Sequence, residues 1–359
     1  MKLRATAPGK LVLLGEYAVL FGHPALVAAV DRRAVVDVTP ASDGQWSARA
    51  PGFADDPVDF EITGDRGVRW LDQPLRQPRL DLVGEVIAGL SGSRIDLVGT
   101  DAADIVLDTR QFFDGGSKLG LGSSAALTVA LTEVLTRWGD ADAPEDAVQQ
   151  LDRLLDLHRR FQGGRGSGVD LAASLVGGVL AYRSDRAGGA ASIEPVELPT
   201  GLWIVTVWTG RSASTPAFLE RLDQEVQRGT GAVADALAEI GELAAAGIRE
   251  LRTGDVSAFL ARVDTFADAM ESLGDSAGLD ILSDAHRRLR TIGRDSGVRV
   301  KPSGAGGGDM AVGFTDDPEA AARFTDGAAA AGFTPLDLSL EPMGVQVSVH
   351  DSQFNIHNS

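Results

Sequence analysis

The segment Gly120-Leu-Gly-Ser-Ser-Ala-Ala126 lies directly before a stretch in which small and apolar residues recur with the spacing of a helix that buries one face. Glycine has no Cβ, so a glycine-rich backbone can approach a bound anion closely. The free N–H groups and the positive end of the helix dipole then hold the negative charge. The hydroxyls of Ser123 and Ser124 offer further ligands for phosphate oxygens or for a magnesium ion. The segment therefore predicts a phosphate-binding loop at the start of a helix.

Other interpretations of this pattern depend on its surroundings. The simplest is a helix cap, because serine is a preferred N-cap residue and Ser123 stands where the helix begins. The spacing also matches the dinucleotide fingerprint Gly-x-Gly-x-x-Gly/Ala, but the preceding Phe113-Asp-Gly-Gly-Ser-Lys118 is not the buried strand which that fold requires. The pair Gly9-Lys10 is followed by leucine, which excludes a P-loop of the Walker type. The five histidines lack the paired spacing of a metal hydrolase.

The composition narrows the classes of protein. A chain of 359 residues predicts two domains that share a cleft, and a hydrophobic fraction of 44% is typical of globular proteins. No run approaches the roughly 20 apolar residues that span a bilayer, and Pro8, Gly9, Lys10 and Glu16 interrupt the apolar N-terminal run. Because cysteine is absent, disulfides, thiolate metal sites and a thiol nucleophile are excluded, and the cytoplasm is the expected compartment.

The distribution of basic residues indicates a localised anion site. The net charge of −18 argues against nucleic acid and against a membrane as partners, because both are anionic and bind basic surfaces. Only four lysines are present, and three of them, Lys10, Lys118 and Lys301, lie in or beside glycine-rich segments. Lysine offers a compact point charge that suits a phosphate group. The position of lysines beside glycine-rich segments therefore indicates a phosphate site, and chance is the alternative explanation, because lysine often flanks flexible glycine loops.

The apolar pattern predicts an α+β chain with glycine loops facing a shared cleft. Strands are predicted within residues 3–40, 95–107, 178–182, 202–208 and 344–349, with two more around the glycine loop at 301–308. Helices are predicted within residues 80–90, from 122 onward, and within 144–161, 170–175, 215–289 and 318–331. Residues 40–80 are expected to form hairpins and loops. The polar stretch 183–199 suggests a division into domains 1–190 and 191–359.

Three segments together resemble the GHMP kinase superfamily of galactokinase, homoserine kinase, mevalonate kinase and phosphomevalonate kinase. They are Ala7-Pro-Gly-Lys-Leu-Val-Leu-Leu-Gly-Glu-Tyr-Ala-Val-Leu20, Gly120-Leu-Gly-Ser-Ser-Ala-Ala126 and Lys301-Pro-Ser-Gly-Ala-Gly-Gly-Gly-Asp309. They occur in the family's order and at about its spacing, so the resemblance spans nearly the whole chain. It implies a two-domain architecture with a ribosomal-protein-S5-domain-2-like N-terminal domain and a ferredoxin-like C-terminal domain, and with the active site between them.

Within the superfamily, several segments look like those of phosphomevalonate kinases. They are Gly15-Glu-Tyr17, the segment 301–309, Gln162-Gly-Gly-Arg-Gly-Ser-Gly-Val-Asp170 and Trp208-Thr-Gly-Arg-Ser-Ala-Ser-Thr215. The resemblance therefore implies ATP with Mg²⁺ as phosphoryl donor and phosphomevalonate as acceptor, in the mevalonate route to isoprenoids. In phosphoryl transfer the protein mainly positions the reactants and stabilises negative charge.

The resemblance also implies roles for individual residues. Lys10 and Asp170 match the catalytic lysine and aspartate of the family, and Ser124 is the expected magnesium contact. The implied nucleotide-binding residues are Lys118, Gly120, Leu121, Gly122, Ser123, Ser124 and Ala125. The implied substrate-binding residues are Glu16, Tyr17, Ser167, Arg211, Ser212, Ser303, Gly304, Ala305 and Gly306.

One departure from the family leaves the metal ligands open. Mevalonate kinases carry a magnesium-binding glutamate shortly before the catalytic aspartate, and this chain has His158-Arg-Arg-Phe161 there. Either phosphates, Ser124 and Asp170 hold the metal, or another carboxylate contributes. Asp170 could alternatively cap the helix that it begins.

Two further groups of residues have structural alternatives. Glu16 and Tyr17 could be surface residues of a hairpin. Arg211, Ser212 and Ser214 could bind the phosphate of the substrate or could cap the helix that starts near Pro216.

Three functional hypotheses follow. The first is phosphorylation of phosphomevalonate. The second is another GHMP enzyme, either mevalonate kinase, whose acceptor is an alcohol, or the related decarboxylase. The third is a catalytically inactive GHMP-like protein that binds metabolites, and the complete set of Lys10, Ser124 and Asp170 argues against it. The sequence leaves open whether the chain forms a homodimer.

Overall fold

The computed structural model of this protein describes residues 2–64, 67–71, 78–91, 95, 97–139, 146–161, 166–184, 191–213, 215–229 and 231–350. Its α-helices are α1 Pro78–Ser91, α2 Ser123–Trp138, α3 Ala147–Phe161, α4 Val169–Val176, α5 Thr215–Gln227, α6 Gly231–Arg252, α7 Val256–Ala277, α8 Asp284–Ser296 and α9 Pro318–Ala330. Its strands are β1 Lys2–Leu14, β2 Ala25–Pro40, β3 Trp46–Ala50, β4 Ala54–Ile62, β5 Val68–Trp70, β6 Ala103–Asp108, β7 Phe113–Asp114, β8 Ser117–Lys118, β9 Val179–Arg183, β10 Ser192–Pro195, β11 Trp203–Trp208, β12 Arg299–Ser303, β13 Met310–Thr315, β14 Thr334–Leu336 and β15 Gln346–His350. Two short 3₁₀ helices cover Ala18–Phe21 and Arg110–Phe112. The predicted α+β class is confirmed.

The first sheet is built around the long strands β1 and β2. β2 pairs antiparallel with β1, β6 and β9, while β3, β4 and β5 continue the sheet beyond β6. Because α2 and α4 pack against β1 and β2, these two strands have nearly continuous runs of buried residues. This packing brings the loops that precede α2 and α4 close to the middle of β1.

Two strands from beyond residue 190 belong to this first sheet. β10 pairs with β9, and the C-terminal β15 pairs antiparallel with β1, with Ala5 opposite Val347. A further bridge joins Val30 to Leu340. The division at residue 190 therefore stays a proposal, and these two strands extend the first domain past that boundary.

The second sheet has the ferredoxin-like strand order that the resemblance implies. β11 lies between β13 and β14, and β12 lies outside β13, with every pair antiparallel. In chain order the strands therefore lie 4-1-3-2 across the sheet. α7, α8 and α9 pack against these strands. The glycine loop between β12 and β13 emerges on the side that faces the phosphate loop.

One large apolar core extends through both domains. It includes fully buried aromatic residues of the first sheet, such as Phe60 and Tyr182, and of the long helix α7, such as Phe259 and Phe266. A smaller cluster around Phe324 lies beneath the second sheet. Burying each such side chain contributes about 1.5–3 kcal/mol, so the shared core strongly favours one arrangement of the domains. Within the part of the chain that the structure describes, no helix has the length and apolarity needed to cross a membrane.

Candidate active site

Two adjoining cavities open around the phosphate loop. The smaller has a volume of 390 Å³ and the larger one of 570 Å³. The smaller is mainly apolar, and its polar lining residues are Arg79, Thr109, Lys118, Ser123 and Ser124. The larger is rich in glycine and charge, and its lining includes Lys10, Glu16, Tyr17, Lys118, Gly120, Gly122, Ser124, Ser167, Asp170, Gly304, Ala305 and Asp309. Because Lys118 and Ser124 line both cavities, the two spaces meet at the start of α2.

The phosphate loop, residues 120–124, enters α2 through glycines in the left-handed conformation. Gly120 has φ = 79° and Gly122 has φ = 80°, values that residues with a Cβ rarely adopt. Gly122 is the N-cap of α2, and no side chain caps the helix. Ser123 and Ser124 are therefore the first two helical residues, and the interpretation of Ser123 as a helix cap is wrong.

Lys10 lies directly against this loop. Its backbone N–H donates to the Leu121 carbonyl at 2.9 Å, and its Nζ donates to the Gly120 carbonyl at 3.2 Å. A Cβ on Gly122 would lie 3.0 Å from the Cγ of Lys10, so the side chain needs the glycine in order to fit. The side chains of Leu121 and Ala125 are buried in the core, so these two residues can meet a ligand only through their backbone.

Asp170 borders the same glycine from the start of α4. A Cβ on Gly122 would lie 3.7 Å from the Cβ of Asp170. Gly168 occupies the N-cap of α4, so Asp170 lies within the first turn and not at the cap position that the alternative interpretation required. Its Oδ1 accepts a hydrogen bond from the Leu171 N–H at 3.1 Å. Ser167, which also lines the larger cavity, accepts one from the Val169 N–H at 3.3 Å.

Asp309, the last residue of the glycine-rich motif 301–309, is a further carboxylate of this site. A Cβ on Gly120 would lie 2.6 Å from the Cβ of Asp309, so the carboxylate rests on the phosphate loop. Burial raises the pKa of Asp309, and the Ala213 N–H and the charges of Lys10 and Lys118 oppose that rise. Burial lowers the pKa of Lys118, and the negative charge of Asp309 opposes this lowering. Asp309 therefore partly balances two lysines beside the loop.

Backbone strain is concentrated at the larger cavity. Among the described residues, the two non-glycine residues with positive φ are Tyr17 at 62° and Asp309 at 54°, and both line this cavity. Such conformations cost about 1–3 kcal/mol and are typical of functional sites. The Tyr17 hydroxyl donates to the Ala305 carbonyl, which joins the two domains. Tyr17 is buried, so the interpretation of Glu16 and Tyr17 as surface residues of a hairpin is wrong.

Lys301, the third lysine beside a glycine-rich segment, does not join the phosphate site. It is fully buried, and its Nζ donates to Oε1 of Glu16 and to the Pro302 carbonyl. Burial raises the pKa of Glu16, and the Lys301 charge opposes the rise. Oε2 of Glu16 is buried without a hydrogen-bond partner among the described residues. The pair therefore links the two domains behind the larger cavity.

Removing one member of this pair should be costly. We expect Lys301→Met to lower the free energy of unfolding by about 3–5 kcal/mol, because it leaves the Glu16 carboxylate buried without a counter-charge. Urea unfolding followed by circular dichroism measures the loss, and adding Glu16→Gln should recover part of it. The control is Lys2→Met. The exposed ion pair between Lys2 and Asp37 should contribute less than about 1 kcal/mol, so this variant should lose little stability. Equal small losses for both lysines would contradict this account.

Two predicted substrate-binding residues of the second glycine loop line neither cavity. The Ser303 hydroxyl accepts from the Val12 N–H and donates to the Val12 carbonyl, both at 3.0 Å. A Cβ on Gly306 would lie 2.2 Å from the Ile281 carbonyl oxygen, so this glycine packs against backbone. Both residues therefore support the loop, and their direct contact with substrate stays a prediction.

Arg211 and Ser212 also lie outside the residues that line the cavities. The Nε of Arg211 donates to the Gly307 carbonyl at 2.8 Å, and the Ser212 hydroxyl donates to the Lys118 carbonyl at 2.6 Å. Neither bond caps α5. These contacts connect the loop after β11 to the glycine loop and to Lys118, and direct contact of Arg211 and Ser212 with substrate stays a prediction. Ser214 lies outside the residues that the structure describes.

The protein ligands available to a metal ion are few. The described residues include no group of three or more His, Asp or Glu side chains that could hold one. His158 is buried, and its Nε2 lies 3.4 Å from the Ser124 hydroxyl oxygen. Burial lowers the pKa of His158, against the charge of Asp170. Mg²⁺ commonly takes one or two protein oxygens together with phosphate oxygens and waters, so Ser124 and Asp170 fit such an ion.

Two family models and several relatives match the sequence of this chain. The model for the GHMP kinases N terminal domain matches residues 109–178, and that for the GHMP kinases C terminal matches residues 255–332. The phosphomevalonate kinase of Streptomyces sp. (strain CL190) is 30% identical over 86% of this chain and 89% of its own length. The mevalonate kinase of Thermococcus sibiricus is 27% identical over 97% of this chain and 98% of its own.

Solved structures show the same fold. A Lin0012 protein from Listeria innocua superimposes with a TM-score of 0.85 at 24% identity and covers 97% of this chain and 99% of its own. The Streptococcus pneumoniae phosphomevalonate kinase, in complex with phosphomevalonate and AMPPNP, gives 0.76 at 20% identity, over 94% of this chain and 99% of its own. At these identities the likeness concerns the architecture.

Proposed function

This chain belongs to the GHMP kinase family, and from that premise we propose that it transfers the γ-phosphoryl group of ATP to the phosphate group of phosphomevalonate. Membership of the family, with its kinase relatives, makes the chain an ATP-dependent small-molecule kinase. The finer proposal concerns the acceptor. The 30% identity to a phosphomevalonate kinase over most of the chain supports it.

The main structural support for a kinase reaction is that two cavities meet at the phosphate loop. The smaller cavity is apolar enough for a purine base, while the larger contains the lysine and the carboxylates. Lys118 and Ser124, which line both, would contact the phosphate chain that runs between them. A donor in the smaller cavity and an acceptor in the larger would thus meet beside Lys10.

Each residue has a role that follows from charge and position. Lys10 and Lys118 would neutralise the negative charge that develops on the transferred group, together with the free N–H groups at the start of α2. Asp170, which borders Gly122 with Lys10, would orient Lys10 and the attacking oxygen. Asp309 would limit the excess positive charge before substrates bind. Closure of the loops around the two cavities over the reactants would exclude water.

Magnesium would be held mainly by the nucleotide's phosphates, with the Ser124 hydroxyl and the Asp170 carboxylate as protein ligands. The ion would supply charge neutralisation on the phosphate oxygens. Because the described residues include no group of three or more His, Asp or Glu side chains that could hold a metal ion, the affinity of the protein alone for Mg²⁺ should be low, and the ion would arrive bound to the nucleotide.

The acceptor can be tested by steady-state kinetics. The second pKa of a phosphate monoester is near 6, so the attacking oxygen of phosphomevalonate is already anionic at neutral pH. We expect kcat/KM for phosphomevalonate to exceed that for mevalonate greatly, and to fall below about pH 6 as the acceptor binds its second proton. Asp170→Asn should slow turnover while preserving the shape of this profile, because the acceptor needs no base.

Mevalonate is the second candidate acceptor, because the mevalonate kinase of Thermococcus sibiricus matches the chain over nearly its full length. An alcohol must lose its proton during attack, so Asp170 would then act as a base or orient the hydroxyl. Turnover of mevalonate without turnover of phosphomevalonate, measured from about pH 5 to about pH 9, would establish this alternative and exclude our proposal.

A further inference from the structure

Arg79 is a cation of the smaller cavity to which neither the sequence motifs nor the proposed mechanism assigns a role. It follows Pro78 at the start of α1, and its guanidinium carbon lies 3.3 Å from the centre of the Phe53 ring. The Phe113 ring centre is 5.3 Å away. The Nε donates to the Thr109 hydroxyl at 3.0 Å. Stacking and this hydrogen bond hold the guanidinium plane in one orientation.

No carboxylate among the described residues balances the charge of Arg79. Within the described ranges of the chain, no carboxylate lies within ion-pair distance of it, although most of the arginines described here have such a partner. Its Nη groups likewise make no hydrogen bond to a described residue, so up to four N–H donors are available. Burial lowers the pKa of Arg79, but a guanidinium stays protonated at every pH at which the protein is used. In a chain with a net charge of −18, an uncompensated and half-buried cation indicates an anionic ligand.

The position of Arg79 relative to Lys118 limits which anion it meets. Both residues line the smaller cavity, whereas only Lys118 reaches the larger one. Burial is the largest cause that lowers the pKa of Lys118, and the negative charge of Asp309 opposes it. The positive charges of Lys10 and then of Arg79 lower this pKa further, so Arg79 lies close to Lys118. Three cations therefore follow one another from the apolar cavity to the site of transfer, in the order Arg79, Lys118, Lys10.

We propose that Arg79 binds the phosphate nearest the ribose of the donor nucleotide. This inference rests on the proposed function, because it takes the smaller cavity as the donor site. Phe53 covers one face of the guanidinium, so its N–H edge is available for charge-assisted hydrogen bonds to non-bridging phosphate oxygens. This phosphate does not react, so Arg79 contributes equally to the ground state and the transition state. It is a binding residue that sets the affinity for nucleotide.

The test compares how strongly substitution of Arg79 weakens the binding of ADP and AMP, which carry phosphate, and of adenosine, which carries none. Calorimetric or displacement titrations give the affinities of ADP, AMP and adenosine for the wild type and for Arg79→Met, Arg79→Lys and Arg110→Met. Arg110→Met is the matched control, because Arg110 is exposed and paired with Asp108. We expect Arg79→Met to weaken ADP and AMP by about 10- to 100-fold and to leave adenosine unchanged. Arg79→Lys should lose less, and Arg110→Met should behave like the wild type.

Steady-state kinetics provide an independent readout. Arg79→Met should raise KM for ATP by a similar factor, with kcat within about twofold of the wild type and no change in KM for the acceptor. Equal weakening of adenosine and AMP, by both Arg79→Met and Arg79→Lys, would overturn the proposal and assign Arg79 to the packing of the aromatic pocket. Unchanged affinities for all ligands would overturn it as well. A wild type that binds no adenine nucleotide would instead refute the proposed function.

Discussion

Lys10→Ala should lower turnover by a factor on the order of 10² to 10⁴. Its Nζ lies 3.2 Å from the Gly120 carbonyl, and the side chain lines the larger cavity together with Asp170 and Asp309. The positive charge of Lys10 is worth most in the transition state, where negative charge is spread over the transferred phosphoryl group. Rapid-quench or coupled-assay measurement of kcat with saturating ATP and acceptor gives the loss directly.

Two controls separate charge from packing in this experiment. Lys10→Met keeps the aliphatic stem that packs against Gly122 and should lose about as much activity as Lys10→Ala. Lys2→Ala removes one positive charge at the far end of β1, beside Asp37, and should leave turnover unchanged. If Lys10→Met retained most of the activity, packing would explain the effect, and the assignment of Lys10 to charge stabilisation would be withdrawn.

Gly122→Val should abolish nucleotide binding. Gly122 has φ = 80° at the N-cap of α2, and a Cβ there would press on Lys10 at 3.0 Å. The branched side chain would also occupy the space through which a phosphate approaches the free N–H groups of the helix. Losing two charge-assisted hydrogen bonds costs about 3 kcal/mol or more, so ADP affinity should fall by at least about 100-fold.

Gly44→Val is the matched control for this loop. Gly44 has a similar φ of 76°, but no atom lies within 4 Å of the position of its Cβ. Both substitutions therefore impose the same backbone strain of about 1–2 kcal/mol, and only Gly122→Val blocks the cavity. Thermal unfolding should show a loss of stability for both variants, with the larger loss for Gly122→Val because of its contact with Lys10, while only Gly122→Val should lose ADP binding. Normal ADP binding by Gly122→Val would show that the loop does not hold the phosphates.

The sequence predicts those parts of the site whose residues are neighbours along the chain and are of types that suit phosphate binding. The glycines before α2 and the helical spacing after them predict the phosphate loop, because both depend on neighbours along the chain. Gly168 and Asp170 at the start of α4 are recognisable for the same reason. The strand at the end of the chain was also predicted, but its partner β1 lies far away in the sequence and no local pattern identifies it.

The contacts that the sequence does not reveal are those between distant segments. Lys301 and Ser303 lie in the glycine-rich motif, yet their side chains bond to Glu16 and to the backbone of Val12 and not to the cavity. Residue type and spacing do not reveal which side of β12 meets the other domain. Asp309 was missed because its positive φ, which turns it onto the phosphate loop, is visible only in three dimensions. The signal available for it was an acidic residue that closes a glycine run in a lysine-bearing motif.

The central claim, that this kinase phosphorylates a phosphate group, is tested most directly by ³¹P NMR of the reaction product. The purified protein is incubated with ATP and Mg²⁺ and with either phosphomevalonate or mevalonate in parallel. With phosphomevalonate, we expect the monoester resonance to be replaced by two coupled resonances of a new diphosphate, in step with the formation of ADP. With mevalonate, we expect no new resonance. A new monoester resonance from mevalonate, with the phosphomevalonate sample unchanged, would contradict the claim.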